Sequence, residues 1–202
     1  MLNLTGALIG LTSVRKFNGD AYFQYAGESF RINNKPSLGC YEEVLIDLYW
    51  QLTNLLSHHS RVLFLRLDIR VYEYTKNNIL MTRWLRQIKR RLKSYFGFKR
   101  IGYLWVRELS KSKKQHYHLV LILDGNKVQH PKNVFAIAKE AAYQCDMPAP
   151  WIPEKPFLKI SRDDKANFNS AMYRGSYLAK TRTKQCGKKI RSFGSSNVKP
   201  RG

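Results

Sequence analysis

The sequence predicts an α+β domain in which an antiparallel sheet carries helices on one face, in a split ferredoxin-like order with one further helix. From Val62 onward, segments with strand-like and helix-like hydrophobic spacing follow one another as strand, helix, strand, strand, helix, strand, helix. A short polar link joins the two central strands, which is typical of an antiparallel hairpin. The 202 residues are enough for one core, and 44% hydrophobic residues indicate a folded domain.

The pattern divides the chain into one domain with two additions. Residues 41–183 form the predicted domain. Residues 1–40, with a strand-like patch at 21–25, are predicted to be an N-terminal extension packed on the core. Residues 184–202 are basic and rich in Gly and Ser, which predicts a flexible tail.

The elements follow from the spacing of apolar residues. Residues 41–57 repeat them at three and four positions with Glu42 and Glu43 in the first turn, which predicts a helix. Residues 62–71 alternate, so that Arg66, Asp68 and Arg70 occupy a polar face of a strand. The remaining predicted elements are a helix at 75–96, strands at 102–109 and 116–123, a helix at 133–145, a strand at 157–160 and a helix from 164 or 165 to 183.

Charge and cysteine content limit the function classes. The 36 Lys and Arg against 14 Asp and Glu give a net charge of +22, which favours a nucleic acid partner. An apolar run of 18 or more residues, as a membrane span needs, does not occur. The three cysteines form no CxxC pair, which argues against a disulfide framework or a zinc knuckle. We expect a cytoplasmic protein of a bacterial cell.

One group of candidate functional residues lies on the two central strands. His116 and His118 project to the same face of a strand, since side chains alternate with period two. Glu108, near the end of the preceding strand, reaches the same face in a hairpin register opposite either histidine. Two imidazoles and a carboxylate suit a divalent ion such as Mg²⁺ or Mn²⁺ that keeps open positions. Asp68 is an alternative third ligand, or it forms an ion pair with Arg66 or Arg70.

The second group lies on the predicted last helix. Tyr173 and Tyr177 are four residues apart and Lys180 is nearly one turn further, so the three would share a helix face. A phenol is a weak nucleophile at neutral pH and needs a nearby cation or a polarised target. A bound ion and Lys180 can supply both.

Together these motifs resemble a known superfamily. His116-Tyr117-His118 in a strand, an upstream Glu108 and the downstream Tyr173 to Lys180 segment are similar to the His-hydrophobic-His (HUH) endonucleases, with their Rep-type palm fold. The segments LRLDIR, WVRELSKSKKQHYHLVLILDG, SYLAKTRTK and RSFGSS most resemble the inovirus gene II-like replication proteins of phages and prophages. The resemblance spans residues 62–196.

The resemblance implies a site-specific and strand-specific DNA endonuclease and ligase that starts rolling-circle replication. Its substrate would be single-stranded or origin hairpin DNA, joined to the enzyme through a 5′-phosphotyrosine link. By motif position Tyr177 would be the primary nucleophile and Tyr173 the second tyrosine. Ser176 stands where some two-tyrosine relatives have lysine. A host helicase and polymerase would be partners, since no Walker-type motif is present.

Phosphate contacts are expected from three basic segments. Their members are Arg83, Arg86, Lys89, Arg90, Arg91 and Lys93 on the helix, Lys111, Lys113 and Lys114 in the hairpin link, and Lys188, Lys189 and Arg191 in the tail. Other interpretations of the chain are a transposase or mobilisation relaxase, a DNA-binding regulator without catalysis, and an RNA-binding protein with incidental histidines.

Overall fold

The computed structural model describes residues 14–16, 21–34, 39–109, 114–181 and 190–202. Its centre is a five-stranded sheet of order β8-β5-β7-β6-β9 in which every pairing is antiparallel. The strands are β1 (Val14–Lys16), β2 (Tyr22–Tyr25), β3 (Glu28–Arg31), β4 (Gly39–Tyr41), β5 (Arg61–Arg70), β6 (Gly102–Leu109), β7 (Gln115–Asp124), β8 (Phe157–Ser161) and β9 (Phe193–Ser195). The helices are α1 (Glu42–His58), α2 (Ile79–Phe96), α3 (Lys132–Tyr143) and α4 (Lys165–Gly175), followed by a 3-10 turn, Ser176–Ala179.

The prediction of an α+β fold with an antiparallel sheet is confirmed, but the helices cover both faces of the sheet. Leu63 and Leu65 of β5 pack with Trp84 of α2 and Val134 of α3. Val62 and Phe64 face the other way and belong to the core that contains α1. The expectation of helices on one face was wrong because the side of β5 that faces α1, the α1 face of the sheet, is polar only in its second half. The first half is apolar and is buried.

The N-terminal region contributes two small sheets, β1 with β4 and β2 with β3. Phe23 and Phe30 of the β2–β3 hairpin are almost fully buried in the core shared with α1 and α4. Phe30 and Phe168 of α4 approach with ring centroids 5.9 Å apart. The β2–β3 hairpin therefore contributes buried side chains to the α1-side core.

The described part of the C-terminal tail differs from the flexible tail that was predicted. Strand β9 pairs with β6 and extends the sheet. Gln51 and Asn54 of α1 donate side-chain hydrogen bonds to the carbonyls of Ser196 and Val198, at 2.7 and 2.8 Å. Backbone pairing with β6 and hydrogen bonds from these amides hold the described part of the tail. The amides lie more than 100 residues away in the chain, so a local sequence pattern does not reveal them. Residues 182–189 lie outside the described residues.

Helix α4 ends earlier than the pattern predicted. Where the sequence predicts one helix to Thr183, the structure has α4, which ends at Gly175, and then the 3-10 turn. A Cβ atom on Gly175 would lie 2.6 Å from a Leu48 side-chain carbon, so α4 meets α1 closely at its last residue. Among the described residues, no helix is long and apolar enough to cross a membrane.

Candidate metal centre and adjoining tyrosine

Glu108, His116 and His118 meet on the α1 face of the sheet. The register places Glu108 of β6 opposite His116 of β7, with His118 two residues further on the same face. A Glu108 carboxylate oxygen lies 3.2 Å from His116 Nε2 and 3.3 Å from His118 Nε2. Candidate ligand atoms of the three residues all lie within 4.8 Å of one another, so these residues, called the metal cluster below, can hold a metal ion.

The environment of His118 suits a metal ligand. Its Nδ1 lies 2.8 Å from an Asp68 carboxylate oxygen, the distance of an Nδ1–H donating to a carboxylate. Its Nε2 is buried and has no hydrogen-bond partner of good geometry among the described residues. A buried nitrogen normally has a partner, and an imidazole fixed by a carboxylate on Nδ1 presents the lone pair of Nε2 to a cation.

Asp68 and Glu108 therefore have different places at the site. Asp68 lies opposite His118 in the register of β5 and β7, on the Nδ1 side of the ring. It accepts two hydrogen bonds from Arg66, at 2.9 and 2.8 Å. Asp68 is thus an orienting partner of His118, while Glu108 belongs to the ligand cluster. An ion pair of Asp68 with Arg66 was among the predicted alternatives, and the structure contains it at 2.8 Å.

The electrostatics couple the buried groups. Burial alone would lower the pKa of His118, but the neighbouring Asp68 and Glu108 carboxylates outweigh it, and the net pKa is raised. Burial would raise the pKa of Asp68, yet His118 and Arg66 lower it overall. Without a cation, the two carboxylates thus favour a protonated His118 between them. A divalent ion would replace that proton's positive charge.

Tyr177 lies against this cluster. Its ring meets the His118 ring nearly at a right angle, with centroids 5.3 Å apart. The Arg66 guanidinium carbon lies over the Tyr177 ring at 4.2 Å from the centroid, and Lys180 Nζ does so at 4.5 Å. Lys180 Nζ also donates to Asn33 Oδ1 at 2.9 Å, so the β2–β3 region helps to position it. The sequence held no sign of this role for Asn33.

Tyr173 has a different environment. It lies on α4, its side chain is exposed, and its ring lies beside the Arg31 guanidinium at 5.8 Å. The expectation that Tyr173, Tyr177 and Lys180 share one helix face was wrong, because α4 gives way to the 3-10 turn and Lys180 follows that turn. Buried Ser176 accepts a hydrogen bond from the Asn33 amide and donates one to the Tyr173 carbonyl.

The basic residues of α2 lie on the other side of the sheet from the metal cluster, and several of them line a groove between α2 and the β6–β9 edge. The groove has a volume of about 540 Å³. Its cations are Arg86, Lys89, Arg90, Lys93 and Arg191. Burial, and then the neighbouring Lys93, lower the pKa of Lys89, as expected where cations crowd together.

The other basic residues are distributed differently. Arg83 and Lys114 are exposed, and Arg91 forms an ion pair with Glu140 at 3.0 Å. Lys111, Lys113, Lys188 and Lys189 lie outside the described residues. A neighbouring groove that shares Lys89 and Lys93 extends the cationic surface to Lys99, Arg100 and Lys199.

Comparison with known proteins identifies a family. The model of the YagK/YfjJ C-terminal domain matches residues 27–145, more than half of the 202-residue chain, and the chain belongs to this family. The matched span contains Arg66, Asp68 and the three residues of the metal cluster, and it ends before Tyr177. No curated protein and no solved structure matches the chain.

Proposed function

We propose that this member of the YagK/YfjJ C-terminal domain family is a metal-dependent nicking and joining endonuclease of the HUH type that acts on single-stranded DNA. Its role would be the initiation of rolling-circle replication. One observation carries the proposal: the Tyr177 ring lies against His118, whose Nε2 belongs to a cluster able to hold a metal ion. A phenol beside such a cluster combines a nucleophile with a place to fix a phosphate.

In this proposal Glu108, His116 and His118 would hold Mg²⁺ or Mn²⁺, two ions that accept imidazole and carboxylate ligands and retain open positions. The bound ion would act as a Lewis acid on a phosphate oxygen. Asp68 keeps His118 in the tautomer whose Nε2 is free to bind, and Arg66 keeps Asp68 ionised and oriented.

Tyr177 supplies the attacking oxygen. A bond forms between its phenolic oxygen and the phosphorus, and the bond from phosphorus to the 3′ oxygen breaks. The products are a 5′-phosphotyrosine and a free 3′-hydroxyl, which gains the proton that the phenol loses. Arg66 and Lys180 lie beside the ring, where positive charge offsets the negative charge of a phenolate. Rejoining is the reverse reaction, and the free 3′-hydroxyl would serve a host polymerase.

The cationic groove supports a DNA substrate. Its lysines and arginines lie at the edge formed by β6 and β9, and β6 also carries Glu108 near its end. A DNA strand bound in the groove would pass around this edge to reach the metal cluster on the α1 side of the sheet. Phosphate contacts of this kind make affinity fall steeply with salt concentration. Strand separation would need a host helicase.

The test is covalent capture of DNA. Full-length protein is incubated in MnCl₂ with a pool of random single-stranded oligonucleotides labelled at the 3′ end, because the 3′ fragment remains on the tyrosine. We expect an adduct that survives SDS, disappears with EDTA and is lost in Tyr177→Phe, since the nucleophile is gone.

Tyr143→Phe is the matched control, because Tyr143 is exposed on α3, on the opposite face of the sheet. It should form the adduct as the unaltered protein does. An adduct that persists in Tyr177→Phe would overturn the assignment of the nucleophile. DNA binding with no adduct in Mn²⁺ or Mg²⁺ would instead indicate a regulator without catalysis.

A further inference from the structure

Trp151 occupies a defined place beside the metal cluster. It lies in the proline-containing segment between α3 and β8, and it pairs with Asp68 as an isolated antiparallel bridge. The Asp68 amide donates to the Trp151 carbonyl at 3.0 Å, and the Trp151 amide donates to the Asp68 carbonyl at 2.7 Å. Directly paired residues of an antiparallel ladder project to the same face. The indole therefore projects from the face that carries Asp68 and His118.

The indole is exposed to solvent although a large apolar ring gains by burial. Trp151 is 62% exposed, whereas Trp84 and Trp105 are buried. Trp50, exposed at 40%, donates its indole N–H to the Tyr25 hydroxyl and packs against aromatic rings. Among the described residues, the Trp151 indole has no hydrogen bond or ring contact. An exposed indole held next to the proposed reaction centre is suited to stack on a planar group of a ligand.

The backbone around Trp151 is fixed. Two hydrogen bonds tie Trp151 to β5, and Pro150 and Pro153 restrict the chain on either side. The Arg66 amide also bonds to the Pro156 carbonyl at 2.9 Å, so the segment rejoins β5 before β8 begins. A ring presented by a fixed backbone loses little conformational freedom when a ligand stacks on it.

Other exposed rings lie at the same end of the sheet. Tyr72 is 76% exposed and Tyr74 is 48% exposed. Both follow β5 within four residues of Arg70, which pairs with His116. The polar end of the sheet thus carries further exposed aromatic side chains, and the whole chain has a net charge of +22. Cationic surface with exposed rings is the combination that binds unpaired nucleic acid strands.

We infer that Trp151 stacks on an unpaired base of the DNA strand whose phosphate is held at the Glu108, His116 and His118 cluster. The inference rests on the proposed function, because it takes single-stranded DNA as the substrate. It adds that the enzyme needs unstacked bases next to the scissile phosphate. Duplex DNA, in which the bases are covered by their neighbours, would not engage this ring.

The experiment measures binding without cleavage. Full-length protein in EDTA is titrated against a fluorescein-labelled thymidine 20-mer and against an abasic strand of the same length, and fluorescence anisotropy is recorded. The unaltered protein should prefer the strand with bases, and Trp151→Ala should lose roughly 5- to 100-fold of affinity for it. Affinity for the abasic strand should not change, because phosphate contacts remain.

Trp50→Ala is the matched control, since it removes an exposed indole on α1. It should keep the preference for bases, and thermal melting checks that each variant is folded. A second readout is quenching of tryptophan fluorescence by the thymidine strand in a Trp50→Phe protein, whose one remaining exposed tryptophan is Trp151.

Two results would overturn the inference: equal affinity of the unaltered protein for both strands, or an undiminished preference for bases in Trp151→Ala. The adduct assay tests the nuclease activity, and its outcome is independent of this binding experiment. A preference for bases that depends on Trp151, in a protein that forms no adduct, would refute the nuclease and leave the stacking role. An adduct with no effect of Trp151→Ala on strand binding would refute the stacking role alone.

Discussion

The two faces of the central sheet are built from the same strands but differ in content. On the face under α2 and α3, β5 presents only apolar residues, from Leu63 to Ile69. On the α1 face it begins with Val62 and Phe64 and then continues with Arg66 and Asp68. β6 and β7 change in the same way, and their polar residues meet those of β5 at one end. One face is thus devoted to stability, while the other combines a core with a site.

Removing core volume from the α2 side should have the largest effect on stability and little on the site. Leu65 is fully buried between Leu121 and Phe157 in the sheet. We expect Leu65→Ala to lower the free energy of unfolding by about 2–5 kcal/mol, through lost burial and a cavity. Urea denaturation measures this change.

The same variant should bind Mn²⁺ with nearly unchanged affinity at a temperature where it is folded, because Leu65 faces away from the cluster. Isothermal titration calorimetry provides the comparison. A loss of Mn²⁺ affinity as large as the loss of stability would contradict the separation of the two faces.

On the polar half of the α1 face, Asp68→Asn should weaken metal binding by roughly 10- to 100-fold. Asparagine removes the negative charge, and its amide can donate to Nδ1 of His118, which would place the ring hydrogen on Nε2 and block the ligand atom. Calorimetric titration with MnCl₂ measures the effect.

Asp163→Asn is the control, since Asp163 is exposed and lies outside the cluster. It should bind Mn²⁺ like the unaltered protein. Unchanged affinity in Asp68→Asn would show that the contact between Asp68 and His118 does not orient the ligand.

A smaller effect should come from pH. The pKa of His118 in the metal-free fold is raised above its ordinary value of 6.5. The stability that its protonation contributes is therefore fully present below about pH 6.5, and it is lost as pH rises through the raised value. Mn²⁺ must displace that proton, so the rise in melting temperature caused by Mn²⁺ should be larger at pH 8 than at pH 6.

Thermal unfolding with and without MnCl₂ at the two pH values tests this expectation, and an excess of EDTA should abolish the shift at both. An equal shift at pH 6 and pH 8 would mean that metal binding does not compete with protonation of His118.

Much of the sheet and the metal cluster could be predicted because their signals are local. Alternation in β5 and β7 identified the strands, and the short link between β6 and β7 predicted a hairpin that sets Glu108 opposite either histidine. The structure has the register with Glu108 opposite His116. The choice between Glu108 and Asp68 could not be made in this way. Both face the cluster, and their roles differ only because one lies on the Nε2 side of His118 and the other on the Nδ1 side.

Local sequence patterns did not predict the end of α4 or the structure of the tail. The residue pattern predicts a helix to Thr183, but the close packing of Gly175 on Leu48 and the hydrogen bond that Ser176 accepts from the Asn33 amide accompany a change of backbone conformation there. Tyr177 then turns toward His118 while Tyr173 stays with Arg31. β9 likewise depends on the exposed edge of β6 and on amides of α1.

The order of residues along the chain is sufficient to indicate α1 to α3, β5 to β8 and the shared face of His116 and His118, because backbone periodicity and a short hairpin act over a few residues. The partnership of Tyr177 with His118, the orienting role of Asp68 and the placement of Trp151 depend on contacts between segments tens of residues apart. Such contacts form only when several elements pack together, since side chains distant in sequence have no local signal of their meeting.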